Sequence, residues 1–358
     1  MINVTKTYLP DVEKYKKYVD QIFETGWLTN NGKFTQELEK RLEEYLGVKH
    51  LILVANGTLA LQISYKALEL TGEVITTPFS FVATTSTLVW EGVKPVFVDI
   101  DKETFNIDYT KIEEAITERT SAIVPVHVFS NGCEIEKISK IAQEYNLKVI
   151  FDAAHAFGVK YKGDSILNYG DISTISFHST KVFHTIEGGA IIVNDDELYK
   201  KIKLMINFGI SGPDKIECLG INAKMNEFQA AMGLCILEDM DKIFQERKRV
   251  FNYYMYNLSK QIQVQKYNEN CTCNYAYFPV VFYSEKVLLK VKEELNKNDI
   301  YPRRYFYPSL ETLPYLNDIQ VVPVSDYISK RILCLPIFDY LKETELNKII
   351  EIINTNLK

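Results

Sequence analysis

The chain has 358 residues, of which 46% are hydrophobic and 25% charged, as is ordinary for a soluble globular protein with a large domain and a smaller one. Its formal net charge of −6 gives no electrostatic case for binding nucleic acid or an anionic membrane, and we expect neither partner. The N-terminal segment MINVTKTYLP has no basic stretch followed by an apolar run, and no run of about 18 apolar residues occurs. The sequence therefore predicts neither a signal peptide nor a membrane helix, and the expected location is the cytoplasm.

Short apolar runs rich in Val and Ile predict seven strands in the first part of the chain. They lie at 51–55, 74–76, 95–99, 122–126, 148–152, 173–177 and 190–194. Most runs are continuous rather than alternating, which is typical of strands buried on both faces. Helical segments such as 57–70 and 134–146 lie between many of the strands. This alternation predicts an α/β protein with a mostly parallel seven-stranded sheet between helices.

The second part of the chain has a less regular pattern. A helical tract extends over 226–262, with Asn226 as its N-cap and a polar, charged second half. Further predicted elements are a strand and two helices, at 277–283, 285–298 and 342–356. We predict a large domain (1–240), whose N-terminal segment lies near the functional site, and a smaller C-terminal α/β domain (241–358).

Six cysteines are present, at positions 133, 218, 235, 271, 273 and 334. In a chain of this length they do not indicate a disulfide framework. Cys271 and Cys273 are close together, but zinc ligands are usually separated by about two to four residues and accompanied by a second pair. We therefore predict reduced thiols and no metal site.

Open parallel sheets bind ligands at the carboxyl ends of their strands, and three predicted strands end in polar or reactive residues. Strand 51–55 leads into Asn56-Gly57-Thr58, which opens a helix. Such a helix start offers backbone N–H groups and a favourable dipole to a phosphate, although an ordinary N-cap also explains the tripeptide. Neither G-x-G-x-x-G nor a Walker loop occurs, which argues against a nicotinamide or flavin site.

Of the other two strands, 148–152 ends at Asp152 and 173–177 leads to Lys181. Asp152 is costly to bury unless it pairs with a cation or caps the next segment, and His155 follows it. A lone histidine is more often structural and most lysines are exposed, but Lys181 lies among hydroxyl residues and before the glycine pair 188–189. A phosphate seat, a carboxylate for a ring nitrogen and a lysine amine are the requirements of pyridoxal phosphate, whose aldehyde a lysine holds as a Schiff base.

Eight segments, in order, resemble those of the DegT-type nucleotide-sugar aminotransferases, which are fold-type-I pyridoxal-phosphate enzymes. They are GWLTNNGKF (26–34), ANGTLAL (55–61), ITTPFSFVAT (75–84), KPVFVDID (94–101), VIFDAAHAFG (149–158), SFHSTKVFHTIEGGAI (176–191), GINAKMNEFQAA (220–231) and RRYFYPSL (303–310). The resemblance extends over nearly the whole chain. It implies a fold-type-I transferase that forms a homodimer with shared active sites.

The resemblance also implies a role for each residue at the cofactor. Lys181 would form the Schiff base and later shuttle protons, and Asp152 would pair with the pyridine nitrogen. Phe81 would stack on the pyridine ring, and His155 would lie beside the phenolic oxygen. The implied phosphate ligands are Gly57, Thr58, Ser176 and, from across a dimer interface, Asn222.

By resemblance, the chain is a transaminase that moves the amino group of glutamate to a nucleotide-linked keto-sugar and releases 2-oxoglutarate. Its segments are most similar to those of enzymes that make dTDP-4-amino-4,6-dideoxyglucose from dTDP-4-keto-6-deoxyglucose for bacterial surface polysaccharide. The 3-keto isomer and GDP- or UDP-linked sugars stay open as substrates. Residues expected to shape the sugar and nucleotide pocket are Trp27, Leu28, Thr29, His184, Tyr305 and Tyr307. Packing between the domains explains the two tyrosines equally well.

Several positions depart from the pattern of the family. Lys33 follows Gly32 where proline is common, Asn56 replaces serine, and Ala223-Lys224 replaces an aromatic-arginine pair. These differences concern the substrate more than the cofactor. Two other functions stay open: a catalytically silent binding protein, which the intact carboxylate and lysine disfavour, and a nicotinamide-dependent sugar oxidoreductase, which the missing glycine fingerprint disfavours.

Overall fold

The central element of the structure, a computed structural model that describes residues 1–316, 318 and 320–357, is a seven-stranded β-sheet. In chain order the strands are β1 (Ile2–Asn3), β2 (His50–Val54), β3 (Glu73–Thr76), β4 (Lys94–Phe97), β5 (Thr120–Val124), β6 (Lys148–Asp152), β7 (Lys160–Tyr161), β8 (Asp164–Ser165), β9 (Ile172–Ser176), β10 (Gly189–Val193), β11 (Ile210–Gly212), β12 (Lys215–Ile216), β13 (Gln263–Val264), β14 (Pro279–Val281), β15 (Ile300–Tyr301) and β16 (Ile332–Cys334). All seven strands predicted for the central sheet are present, within two residues of their predicted bounds.

The described residues also form eleven α-helices. They are α1 (Val12–Thr25), α2 (Lys33–Leu46), α3 (Gly57–Ala67), α4 (Val82–Trp90), α5 (Ile135–Glu144), α6 (Asp196–Met205), α7 (Glu227–Leu237), α8 (Met240–Asn257), α9 (Glu285–Lys297), α10 (Pro323–Ser329) and α11 (Glu343–Thr355). Short 3-10 turns lie at Tyr109–Lys111, Glu113–Ala115, Val128–Ser130, Ile166–Asn168 and Leu310–Thr312. None of these helices is long and apolar enough to cross a membrane.

The central sheet is mostly parallel, as predicted, and its strand order is β2-β10-β9-β6-β5-β3-β4. Strand β10 is antiparallel to both of its neighbours, β2 and β9, whereas the other adjacent pairs are parallel. Because the two reversals cancel, β2 points in the same direction as β9 and β6. The carboxyl ends of these three strands therefore lie at one edge of the sheet, where a ligand is expected.

The strands are buried on both faces, which explains their continuous apolar sequences. In β2, Leu51 and Leu53 pack into one hydrophobic cluster, whereas Ile52 and Val54 pack into another. Successive side chains of a strand point to opposite faces, so each residue of this run enters one of two cores. Helix α2 packs into the first cluster and helix α3 into the second, so the sheet lies between layers of helices.

The prediction of a single helix over 226–262 is wrong. The structure has two helices, α7 and α8, separated at Glu238 and Asp239, and the backbone of Asp239 (φ −99°, ψ 1°) leaves the helical region. Asn226 caps α7 as predicted, because its side chain accepts the N–H of Gln229 and the Gln229 side chain accepts the N–H of Asn226. Nearly every residue of α7 is buried, whereas α8 exposes a polar face, and the break separates these two environments.

A third hydrophobic cluster lies in the C-terminal part of the chain. It is formed by apolar side chains of α8, α9 and α11 with β14 and β16, among them Val250, Val280 and Ile349. We propose that this cluster is the core of the smaller domain, with the boundary near residue 240, where α8 begins. Tyr277 and Tyr305 instead join the cluster of the central sheet, so the C-terminal part also contributes to the core of the large domain.

Candidate active site

A cavity of about 260 Å³ lies at the edge of the sheet where β2, β6 and β9 end. Eight of the predicted site residues line it, namely Gly57, Thr58, Phe81, Asp152, His155, Ser176, Lys181 and Tyr305. They come from separate strand ends and loops, and the fold places them around one space. This convergence agrees with the placement expected for a parallel sheet.

Lys181 lies in the loop that follows β9. A backbone hydrogen bond stabilises the loop, since the Lys181 N–H donates to the His178 carbonyl (2.8 Å). The side chain has a separate contact, in which the Lys181 Nζ donates to the Tyr277 hydroxyl (3.3 Å). Although part of the side chain faces the cavity, burial of the ammonium lowers the pKa of Lys181 to about 8; Asp152 opposes this shift and Arg303 adds to it. A substantial fraction of the amine is therefore neutral, and so nucleophilic, near neutral pH.

Asp152 is the last residue of β6 and is 5% exposed. Its Oδ2 accepts a hydrogen bond from the Thr84 hydroxyl (2.8 Å), and its Oδ1 accepts one from the Ala154 N–H (3.1 Å). Burial raises the pKa of Asp152, and the two hydrogen bonds oppose that shift. No described Lys, Arg or His lies within ion-pair distance of this carboxylate, so its hydrogen-bond partners are neutral, and Lys181 of the same cavity compensates its charge only in part.

The start of α3 has the properties of an anion-binding site. The Asn56 side chain caps the helix by accepting the Leu59 N–H (2.9 Å), which leaves the N–H groups of Gly57 and Thr58 without partners inside the helix. A Cβ at Gly57 would lie 3.0 Å from the Cβ of Ser176, so glycine allows Ser176 to approach the helix end closely. Gly57, Thr58 and Ser176 all line the cavity, and they offer it hydroxyl and N–H groups near the positive end of the helix dipole.

His155 and Phe81 form the apolar walls of the cavity. The His155 Nδ1 accepts the Phe129 N–H (3.2 Å), and the ring lies against Tyr277, with centroids 4.5 Å apart. Burial holds the pKa of His155 well below its usual range, and nearby Lys181 lowers it further, so the ring is neutral with its proton on Nε2. Phe81 directly precedes α4 and is 54% exposed, which leaves an aromatic face available to a planar ligand.

These groups fit pyridoxal phosphate. The helix start with its Thr58 and Ser176 hydroxyls suits a phosphate, and the charge of Asp152, which has no ion-pair partner, suits a protonated pyridine nitrogen. Lys181 supplies an amine whose pKa is low enough for it to attack an aldehyde. The fit rests on the donor set of this chain, and it agrees with the requirements inferred from the sequence.

The remaining predicted site residues do not line this cavity, namely Trp27, Leu28, Thr29, His184, Asn222 and Tyr307. His184 is buried on the other side of the lysine loop, where its Nε2 donates to the Tyr8 carbonyl (2.8 Å) and its Nδ1 accepts the Ile186 N–H (3.3 Å). These contacts hold the N-terminal segment against the loop, and they give no support to a sugar contact. Asn222 is exposed, as a residue that reaches a partner subunit must be, and its role stays a prediction.

Three residues of the cavity received no role in the sequence analysis. Thr84 supplies the hydroxyl that bonds to Asp152, Tyr277 supplies the hydroxyl that bonds to Lys181, and Arg303 brings a guanidinium. Thr84 and Arg303 lie in segments that resemble the family, whereas Tyr277 was assigned to an ordinary strand. None of the three residues directly follows a strand that was used to locate the site. Their position in the chain therefore did not predict that they contact it.

The sequence of the chain is similar to those of a known protein family. Residues 11–354 match the model of the DegT/DnrJ/EryC1/StrS aminotransferase family. Two relatives described as dTDP-4-amino-4,6-dideoxy-D-glucose transaminase are similar over 98% of this chain and 98% of their own length. The relative from Escherichia coli is 42% identical and that from Shigella dysenteriae is 44% identical.

A solved structure has the same fold. The crystal structure of DesI in the presence of its TDP-sugar product superimposes with a TM-score of 0.94 and is 31% identical, over 99% of this chain and 93% of DesI. Both the sequence and the structure are therefore similar to those of sugar aminotransferases along almost their whole length.

Proposed function

The chain belongs to the DegT/DnrJ/EryC1/StrS aminotransferase family, whose members depend on pyridoxal phosphate, and we propose that it transfers the amino group of glutamate to a nucleotide-linked keto-sugar. The substrate that we propose is dTDP-4-keto-6-deoxyglucose and the product dTDP-4-amino-4,6-dideoxyglucose, by analogy with the two transaminase relatives. The observation that carries the proposal is a half-buried lysine of lowered pKa and a buried aspartate without an ion-pair partner in one cavity. We place this reaction in the cytoplasm, as a step towards surface polysaccharide, as expected from the sequence.

We propose pyridoxal 5′-phosphate as the cofactor of this site. When bound, it supplies an electron sink for the carbon that loses or gains a proton. The residues that would hold its phosphate are Gly57, Thr58 and Ser176, and Phe81 would cover its ring. Asp152 would keep the ring nitrogen protonated, because a buried carboxylate without a cation is stabilised by a positive partner.

Lys181 is the residue that we propose to move protons. Its neutral amine takes the proton from the α carbon of glutamate, and its ammonium form returns a proton to the sugar carbon that receives nitrogen. A pKa of about 8 suits both tasks near neutral pH, since neither form is rare there. The Tyr277 hydroxyl holds the amine by accepting its hydrogen bond, and neutral His155 adds no competing positive charge.

Replacement of Lys181 tests the reaction. Lys181→Ala should abolish turnover of glutamate with dTDP-4-keto-6-deoxyglucose, because it removes both the point of covalent attachment and the proton carrier. Borohydride should fix the cofactor to the peptide that contains Lys181 in the wild-type protein but not in the variant. Normal turnover in Lys181→Ala, or a wild-type protein that takes up no pyridoxal phosphate, would contradict the proposal. Wild-type assays with 3-keto, GDP- and UDP-linked sugars, with products identified by NMR, establish the sugar.

We propose a homodimer in which Asn222 serves the site of the partner subunit. Support comes from large apolar side chains that are exposed near Asn222 in the chain, including Phe208 (48%), Ile216 (73%) and Leu219 (79%). Such side chains are seldom exposed together on a monomer, and burial in an interface would remove them from water.

Subunit complementation tests this shared site. Lys181→Ala and Asn222→Ala should each have little activity alone, but co-expression should form hybrid dimers with one intact site. That site combines Lys181 of one subunit with Asn222 of the other. Absence of any recovered activity in verified hybrid dimers would mean that Asn222 acts within its own subunit or not at all.

A further inference from the structure

Arg303 is a second cation in the cavity, and the proposed reaction assigns it no role. Its backbone is anchored to β16, since the Arg303 N–H donates to the Cys334 carbonyl (3.2 Å) and the Cys334 N–H donates to the Arg303 carbonyl (2.8 Å). Its guanidinium carbon lies 4.7 Å from the centroid of the Tyr305 ring. The backbone and one aromatic face therefore position the side chain at the wall of the cavity that also contains Lys181.

The guanidinium has no anionic partner in the part of the chain that the structure describes. No Asp or Glu there lies within ion-pair distance of it. The neighbouring Arg304 is different, because it forms an ion pair with Glu285 (2.7 Å) and donates to the Lys330 carbonyl (3.1 Å). Two adjacent arginines thus differ in role: Arg304 completes a structural contact, whereas Arg303 offers its charge to the cavity.

An unpaired arginine beside a lysine is electrostatically unfavourable unless an anion joins them. Arg303 lines the same cavity as Lys181, and its positive charge adds to the lowering of the pKa of the lysine. The phosphate seat at Gly57 and Thr58 already has its own donors. The anion that Arg303 binds is therefore one carried by a substrate.

Two substrates carry anions, and their geometry favours the amino donor. The α-carboxylate of an amino acid is one carbon away from the nitrogen that must react beside Lys181. The diphosphate of a nucleotide sugar is instead separated from a 4-keto carbon by the width of the sugar ring. A guanidinium also matches the planar carboxylate with two parallel hydrogen bonds.

We propose that Arg303 binds a carboxylate of the amino-acid donor, and so determines that the donor is an amino acid and not an amine without a carboxylate. This inference rests on the proposed transamination, in which the donor and the sugar react at the same site in turn. Arg303 therefore does not take part in binding the sugar, which reacts in the second half-reaction. The two half-reactions therefore respond differently to its replacement.

Single-turnover kinetics of the two half-reactions test the proposal. Holoenzyme is mixed with glutamate, or with the amino-sugar product, and the absorbance of the bound cofactor is followed. Arg303→Gln should weaken the apparent affinity for glutamate by roughly 10- to 100-fold, the loss expected for a charge-assisted hydrogen-bonded pair, and should change the amino-sugar half-reaction by less than about twofold. Arg303→Lys keeps the charge but loses the paired geometry and should show a smaller loss. Arg304→Lys is the matched control and should behave like wild type.

A binding measurement complements the kinetics. Glutarate, a dicarboxylate that cannot donate nitrogen, should bind wild-type holoenzyme in calorimetry and bind Arg303→Lys and Arg303→Gln progressively more weakly. An effect on the amino-sugar half-reaction alone would place the diphosphate at Arg303 and overturn the inference. An equal effect on both half-reactions would do so as well, since it indicates action through Lys181. A wild-type protein without any glutamate half-reaction would instead contradict the proposed function itself.

Discussion

Two buried carboxylates at opposite edges of the central sheet differ in whether the described chain provides them with an ion-pair partner. Glu73 is the first residue of β3 and is 3% exposed, whereas Asp152 is the last residue of β6 and is 5% exposed. Glu73 forms ion pairs with Arg119 and Lys94 and accepts a hydrogen bond from Thr117 (2.7 Å). Asp152 accepts hydrogen bonds from neutral groups alone in the described structure.

The two carboxylates differ in which groups compensate their negative charge. Burial of an ion is costly, and the protein itself offsets that cost for Glu73 with two cations from the same edge. At Asp152 no cation lies within ion-pair distance in the described chain and Lys181 offsets the cost only in part, so the charge is available to a ligand with a positive group. A buried acid without a cation at the carboxyl edge of a sheet thus indicates a binding site more strongly than burial alone does.

The largest expected effect is that of Asp152→Asn on catalysis. Removal of one partner of a buried ion pair costs roughly 3–5 kcal/mol, so kcat/KM should fall about a hundredfold or more once the pyridine nitrogen loses its anion. The fold should persist, because an asparagine oxygen can still accept the Ala154 N–H. Since the folded state raises the pKa of Asp152, its ionised form opposes folding at neutral pH, and the variant should unfold at the same or a higher temperature. Steady-state kinetics and calorimetry measure the two effects, and retention of full activity would contradict the assignment.

The matching change at the other edge should affect stability and not activity. Glu73→Gln removes the ion-pair partner of Arg119 and one of the two acidic partners of Lys94, which keeps Asp318. Because both cations are largely exposed, the free energy of unfolding should fall by about 1 kcal/mol. The kcat/KM should stay at the wild-type value, since the amino edge of the sheet lies away from the cavity. Urea denaturation combined with the sugar assay makes the comparison. A loss of activity at unchanged stability would show that the two edges are not separate in function.

The smallest expected effect is on the pH at which the protein without cofactor captures pyridoxal phosphate. The neutral amine is the nucleophile, so the capture rate should rise with pH through about 8, the pKa to which burial lowers Lys181, rather than near its ordinary value of about 10.4. Asp152 favours the ammonium form, so Asp152→Asn should shift this midpoint to lower pH, whereas Glu73→Gln should leave it in place. Stopped-flow absorbance gives the midpoint. A wild-type midpoint near 10 would mean that the amine is not desolvated.

Much of the fold follows from local pattern. Mostly apolar runs such as 51–55 and 148–152 predicted all seven strands of the central sheet, because strands buried on both faces are apolar at most positions. Asn226 gave the start of α7, because its side chain caps the helix. The end of that helix was not predictable in the same way. Residues 226–262 are helical in pattern on both sides of Asp239, and the break depends on which core each half joins.

The sequence by itself determined Lys181, Asp152 and the helix start at Gly57, because each follows a strand directly and parallel strands bring their carboxyl ends together. Only the tertiary structure decided which distant residues meet them. Tyr277 and Arg303 reach the cavity from the C-terminal part, and His184, three residues from Lys181, faces Tyr8 instead. The physical reason is that strand and helix patterns are local, whereas a side chain's partners depend on how elements far apart in the chain pack.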